Sequence, residues 1–287
     1  MMNNKDFAVF ILTHGRPDHV KTFNTIRKEG YTGRIYIVID NEDTTAPEYY
    51  AKYKKRVIMF DKEAIAKTFD EFDNFSDRRA IVYARNACFV IARNSGITYF
   101  LELDDDYSCF SYRINDNLQH PTHAFQVKSL DQIFDAFLEY YKSIPAKSIA
   151  MSQGGDWIKG KEGFNDLKAV PSRKTMNTFF CSTERPFQFS GRINEDVNTY
   201  TDFQSKGNLF LNIPFVQMNQ VQTQHNKGGM TDIYLDSGTY IKSFYTLICN
   251  PSGTIIKEMI TKNRRLHHAH NWDAIAPCII RESHKKI

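Results

Sequence analysis

Short apolar runs alternate with longer segments of helical period through the first hundred residues. Phe7 to Leu12, Ile35 to Ile39, Val57 to Phe60 and Ile97 to Leu103 are rich in β-branched and aromatic side chains and read as buried strands. Between them, Asp18 to Glu29 places Val20, Phe23 and Ile26 on one face, with Gly30 as a C-cap, and Pro47 opens a helix through about Tyr53. Arg78 to Ser95 carries an apolar stripe of Ala80, Ile81, Ala84, Ala87, Cys88, Ile91 and Ala92. Strands alternating with helices predict an α/β protein whose mostly parallel sheet is covered on both faces.

Further on, the pattern predicts a helix over Leu130 to Tyr141, strands at Ser148 to Gln153, Phe179 to Thr183 and Leu209 to Met218, and a helix starting at Asn194-Glu195-Asp196 with Asn194 as cap. A helix over Gly238 to Cys249 stops before Asn250-Pro251-Ser252-Gly253. That break predicts a main domain over 1–250 and a small basic extension over 251–287 packed on it, with a strand at Thr254 to Ile260.

Composition narrows the class. The chain has 287 residues, 41% apolar, 14% aromatic and 24% charged, which suits a large folded core rather than a disordered chain. A net charge of +4 permits a nucleic-acid partner without requiring one. The cysteines at 88, 109, 181, 249 and 278 are odd in number and widely spaced, which argues against a disulfide framework or structural zinc and for a reducing cytosol. No apolar run approaches the roughly 18 residues of a membrane span, and the N-terminus has no signal-peptide pattern. A soluble cytoplasmic protein is expected, with no membrane partner.

The candidate chemistry sits where strands end. Ligands on parallel sheets bind beyond the carboxyl ends of strands. Thr13 to Arg16, Asp40 and Asp104-Asp105-Asp106 all fall there. Three adjacent carboxylates repel one another unless a cation lies among them, and hard oxygen ligands suit Mg²⁺ or Mn²⁺; the alternative is a solvated acidic turn. Alternation along a strand aims Asp104 and Asp106 one way and Asp105 the other. Arg78, Arg79, Arg85 and Arg93 fit a solvated helix face; the alternative is that Arg85 and Asn86 point at a nucleotide or at Asp104. Gly154-Gly155 after a strand lets backbone approach a ligand closely, or merely turns the chain. Glu195 and Asp196 open a helix, where acids are also expected for stability alone.

Taken in order, the acidic triplet, the Gly154-Gly155 turn, the Glu195-Asp196 pair and a late His225 resemble the nucleotide-sugar glycosyltransferases of the GT-A fold over roughly residues 7 to 230. The resemblance implies a Rossmann-like sheet, a UDP-sugar donor and a divalent metal held by Asp104, Asp106 and His225. It implies donor contacts from Thr13, Arg16, Asp40, Arg85, Asp104, Gly154, Gly155 and Lys227. Asp196 is implied as the carboxylate that deprotonates an acceptor hydroxyl in an inverting enzyme, with Glu195 beside it; in a retaining enzyme it would position acceptor or donor.

The Thr13-His14-Gly15-Arg16-Pro17 turn and the tail, with Lys242 to Tyr245, Lys257, Arg265-Leu266-His267-His268 and Trp272, look like the phage and TET/JBP-associated glycosyltransferases that decorate hydroxymethylated pyrimidines in DNA. That implies double-stranded DNA as acceptor, contacted by Lys257, Arg264, Arg265, His267, His268 and Trp272, with Trp272, Tyr245 or Phe244 supporting a base flipped from the duplex. His267 and His268, adjacent on a strand, are expected to face opposite ways and so not to share a metal. A GT-A enzyme acting on a glycan or protein, a non-catalytic binding module and a nuclease remain open alternatives.

Overall fold

In the computed structural model, residues 5–114, 124–157, 171–220, 230–238, 240–260 and 264–285 are described. Among them, one nine-stranded sheet runs β3-β2-β1-β4-β8-β7-β9-β5-β6. Its strands are β1 (Phe7–Leu12), β2 (Ile35–Asp40), β3 (Val57–Phe60), β4 (Tyr99–Asp104), β5 (Tyr107–Tyr112), β6 (Phe125–Gln126), β7 (Ser148–Gln153), β8 (Phe179–Ser182) and β9 (Phe210–Gln220). All except β5 and β8 point the same way, so the sheet is mostly parallel, as the alternating pattern predicts.

Alternation along β1 explains the two layers. Phe7, Val9 and Ile11 pack into a core with α1 (Lys21–Lys28), α2 (Ala46–Tyr53) and α5 (Leu130–Ser143), through side chains such as Ile26, Tyr49 and Phe134. Ala8, Phe10 and Leu12 point into the opposite core, with α3 (Lys62–Ala66), α4 (Val82–Asn94) and α6 (Glu195–Ser205), through Ile65, Cys88 and Val197. Each such large apolar side chain contributes about 1.5–3 kcal/mol on burial, which fixes the register of the central strands. That register sets Leu12 of β1 beside Asp104 of β4, so the turn after β1 meets the acidic turn after β4.

Three elements depart from the sequence pattern. The long arginine-bearing helix starts at Val82 rather than Arg78, because Arg78 and Arg79 are drawn to Glu42 and Asp77 in the preceding loop. The acidic triplet is split: Asp104 ends β4, and Asp105 and Asp106 form a two-residue turn that leads directly into β5. The tail forms a second sheet, an antiparallel hairpin of β10 (Thr254–Ile260) and β11 (Arg264–His270). α7 (Met230–Ser237) and α8 (Ile241–Cys249) lead into it, and α9 (Trp272–Ile275) follows. The Asn250 amide closes the intervening turn by bonding the Thr201 carbonyl and the Gly253 N–H. Among the described residues no helix is long and apolar enough to cross a membrane.

Candidate active site

The turn after β1 and the turn after β4 are tied together by side chains. Thr13 donates to Asp105 Oδ2 at 2.6 Å and also bonds the Tyr49 hydroxyl at 2.9 Å. Arg16 Nη2 meets Asp105 Oδ1 at 3.0 Å. Thr22 donates to the Asp104 carbonyl at 2.6 Å and accepts from the Tyr107 N–H at 2.9 Å. Gly15 occupies the left-handed region at φ +67°, and its N–H reaches Asp43 Oδ2 at 2.7 Å. Asp105 is therefore buried and bonded backwards into the fold. The Thr13 hydroxyl, expected at the donor, is instead committed to Asp105 and Tyr49.

Asp40, at the end of β2, accepts from His14 Nδ1 at 2.7 Å and lies 3.4 Å from Lys62 Nζ. The hydrogen bond to Asp40 raises the His14 pKa. His14 and Lys62 were not picked out by sequence reasoning, since neither residue carries a local signal of its partner.

Beneath the acids lies Arg85, only 1% exposed. Its Nε donates to Glu195 Oε1 at 2.9 Å and its Nη2 to Asp104 Oδ1 at 3.0 Å. Phe179 and Phe189 flank the guanidinium, 5.1 and 5.7 Å from their ring centroids. Of the expectations for Arg85, the solvated face fails and so does the donor contact, while the alternative that it points at Asp104 holds: it is an internal counter-ion, because burial on the stripe of α4 leaves it no route to solvent. Asn86 is likewise turned inward, exchanging two hydrogen bonds with the Phe189 backbone.

Glu102 was also missed. It lies two residues before Asp104 on the same face of β4 and is 0% exposed. Its oxygens and Arg85 Nη1 find no hydrogen-bond partner among the described residues, although they face each other at 3.6 Å. Burial pushes the Glu102 carboxyl up to about 8, so at neutral pH it is largely protonated. Burial disfavours the Arg85 charge, yet Asp104, Glu195 and Glu102 outweigh it and hold the guanidinium well above its ordinary pKa.

The remaining acids are strained by one another. Burial, then Asp104 and Asp105, lifts Asp106 to about 7. Burial raises Asp104 and Asp105 as well. Burial and neighbouring Asp196 lift Glu195 to about 7, and burial raises Asp196. Asn194 does not cap this helix: it sits in the left-handed region at φ +62° and gives its amide to Thr246 Oγ1 at 2.6 Å. The Asp196 carboxylate accepts the N–H of Val197. Asp196 lies within electrostatic reach of Arg85, Asp104 and Lys174, while Lys242 and Tyr234 also feel it.

Gly154 and Gly155 open a tight 3-10 turn over Gly154–Trp157, anchored by Asp156 Oδ2, which accepts from the Gln153 N–H and Asn212 Nδ2. A side chain at Gly154 would meet only Gln217 Nε2, at 3.8 Å. His225 and Lys227, expected at the metal and the phosphates, lie outside the described residues. Among the described residues no group of three or more His, Cys, Asp or Glu has the geometry of a closed metal site.

On the hairpin, Lys257, Arg264 and Arg265 are exposed, and Arg264 Nε lies 3.4 Å from Glu258. His268 is not a surface residue: it is 5% exposed. Nor do His267 and His268 face opposite ways, for their ring centroids lie 4.3 Å apart, both rings turning towards the crevice that holds Lys174. Trp272 is half-buried and stacks on Tyr200 at 6.3 Å. Tyr245 is buried, its hydroxyl bonded to Asp73 and Arg192, so it has no freedom to receive a flipped base. Phe244 is 40% exposed.

The site is thus a cluster of crowded carboxylates beyond the strand ends of a doubly covered, mostly parallel α/β sheet. The family profile described as TET-Associated Glycosyltransferase matches residues 7–229, and the chain belongs to that family. No curated protein matches the sequence. Among solved structures, glucosyl-3-phosphoglycerate synthase from Mycobacterium tuberculosis, in complex with Mn²⁺, UDP and phosphoglyceric acid, is similar at 8% identity and a TM-score of 0.45, over 92% of this chain and 86% of that one. S. aureus TarS (1–349) is similar at 10% identity and a TM-score of 0.42, over 84% of this chain and 65% of that one.

Proposed function

We propose that this glycosyltransferase moves a sugar from a UDP-sugar, with Mn²⁺ or Mg²⁺, to the hydroxymethyl group of a modified pyrimidine in double-stranded DNA. The observation that carries the donor half is the imbalance of charge at the strand ends. Asp104, Asp105, Asp106, Glu195, Asp196 and Glu102 converge on two guanidinium groups, Arg85 and Arg16. With Asp105 satisfied by Thr13 and Arg16, the carboxylates of Asp104 and Asp106 remain crowded, and Asp106 is lifted to about 7. Hard oxygen donors in that state fit a divalent cation.

Asp104 and Asp106 would hold the metal, joined by His225, and the bound metal would act as a Lewis acid towards the leaving diphosphate. Arg16 and Lys227 would add positive charge near the phosphates, Asp40 would bond base or ribose, and the open backbone at Gly154-Gly155 would lie along the donor. Asp196 would take the proton of the acceptor hydroxyl. Its raised pKa makes it a stronger base than an ordinary carboxylate, while the Val197 N–H bonded to Oδ1 orients it. Lys257, Arg264 and Arg265, exposed on one hairpin, support a polyanionic acceptor, and Trp272 stands at the hairpin's end.

The test incubates the protein with a panel of UDP-sugars, Mn²⁺ and duplex DNA containing 5-hydroxymethylcytosine or 5-hydroxymethyluracil, then measures nucleoside mass. Addition of a hexose or pentose is expected. If UDP is released but no nucleoside gains mass under any condition, the acceptor is not DNA, and glycan or protein acceptors take its place.

A further inference from the structure

Three cations, Lys174, Lys242 and Arg265, gather near Asp196 and outnumber the two acids, Asp196 and Asp156, that Lys174 senses. Lys174 Nζ lies 3.4 Å from His268 Nε2. Lys242, on α8, and Arg265, on β11, are close enough for each to depress the Lys174 ammonium, after burial. No carboxylate among the described residues lies within salt-bridge distance of Lys174, Lys242 or Arg265; at longer range Lys174 feels Asp196 and Asp156, and Lys242 feels Asp196. Lys242 otherwise rests over the Tyr234 ring at 5.8 Å.

The histidines of β11 complete the wall. His267, His268 and His270 form a ladder, with ring centroids 4.3 and 5.0 Å apart. Tyr200 fixes His270 through a 2.9 Å contact to Nε2, and Trp272 packs on both. The Nδ1 atoms of all three histidines are buried and find no hydrogen-bond partner among the described residues. Burial and the neighbouring lysines keep the rings neutral, with His267 near 4, His270 near 3 and His268 near 2. A buried polar atom without a partner is costly, so His268, at 5% exposure, is an unfilled donor or acceptor position.

Three histidines in a row invite a metal. The surroundings argue against one: two lysines and an arginine repel a cation, and the described residues offer no metal-holding geometry here. An anion reverses every one of those objections. It neutralises the lysines and accepts hydrogen bonds from His Nδ1–H.

We propose that Lys174, Lys242 and Arg265, backed by His268 and His270, form an anion subsite beside Asp196 that takes a phosphoryl group of the acceptor. The assignment to the acceptor side rests on the proposed role of Asp196, the acid that Lys174 and Lys242 both feel. A phosphodiester next to the target nucleotide and a phosphomonoester on a small acceptor share this chemistry.

The experiment is calorimetric titration of the full chain, without metal or UDP-sugar, using inorganic phosphate, glycerol 3-phosphate and an unmodified DNA duplex in turn. Wild-type protein is expected to bind inorganic phosphate, and Lys174→Met and Lys242→Met each to weaken it about tenfold, the scale of one charge-assisted hydrogen bond. Lys28→Met, on the exposed face of α1, serves as the charge control and leaves binding unchanged. Lys174→Arg restores binding, which separates loss of charge from loss of fold. Duplex binding that weakens in the same variants assigns the anion to a polynucleotide. If glycerol 3-phosphate responds and the duplex does not, the subsite stands and the DNA acceptor falls. Wild-type protein that ignores phosphate at millimolar concentration, or methionine variants that bind it unchanged, overturn the subsite.

Discussion

Replacing Arg85 by Met tests the charge balance on which the whole site depends. The guanidinium bonds Glu195 at 2.9 Å and Asp104 at 3.0 Å and faces Glu102 at 3.6 Å; the guanidinium and Glu102 are shut off from water, and Asp104 alone is partly exposed. Methionine fills much of the volume but leaves these carboxyl groups with no cation. Removing one partner of a buried ion pair typically costs about 3–5 kcal/mol, a large share of the roughly 5–15 kcal/mol that holds a domain together. Urea denaturation at pH 7.5 measures the loss. Two further arms separate charge from packing. Mn²⁺ with UDP is expected to recover part of the lost stability, because the added cation compensates the same acids. Glu102→Gln alone is expected to stay within about 1 kcal/mol of wild type, since a carboxyl held near 8 is already mostly neutral. In the Arg85→Met background the same change is expected to add little, because loss of the guanidinium raises the Glu102 carboxyl further and keeps it neutral. An Arg85→Met protein within about 1 kcal/mol of wild type would refute the reading of Arg85 as the internal counter-ion.

Asp104→Asn and Asp106→Asn should each weaken Mn²⁺-dependent UDP binding by about 10- to 100-fold, the scale on which even outer-shell changes affect metal sites; unchanged affinity in both, measured by calorimetry, would remove the metal from this turn. Asp196→Asn should lower kcat by about 10²–10⁴ while UDP affinity is preserved, as steady-state kinetics beside a binding titration will show. Thr13→Val removes the 2.6 Å bond to buried Asp105 and should cost about 1–3 kcal/mol in denaturant unfolding. His268 gives a pH signature: its folded pKa is depressed from 6.5 to about 2 by burial, Lys174 and the neighbouring rings. Its contribution is therefore present above pH 6.5 and is lost as pH falls, because the unfolded chain binds the proton that the folded one refuses. Between pH 6 and 4, the wild type should lose about 1.4 kcal/mol per pH unit relative to His268→Gln; parallel stability curves would show that His268 titrates freely.

How much of this was legible in the sequence depended on how far apart the partners lie. The strands β1 to β4 and the acids at their ends follow from local pattern, because a buried parallel strand must be apolar and must stop where the acids begin. The Asn194 cap failed for a tertiary reason: Thr246, on α8, captures its amide, and the left-handed backbone at 194 carries its side chain away from the helix N-terminus. The pocket beside Asp196 had no local signature either, since Lys174 and His268 are 94 residues apart. Arg85 is different. It lies three residues before Cys88 and seven before Ala92, inside the apolar stripe of α4 rather than beside it. An arginine there must be buried, and a buried arginine requires carboxylates on whatever it packs against. β4 supplies them at Glu102 and Asp104, which follow Phe100 on the face turned towards α4 in a strand that is otherwise apolar. Either feature alone reads as a surface charge; the helix stripe and the strand alternation, considered together, place the ion pair in the core before any coordinates do.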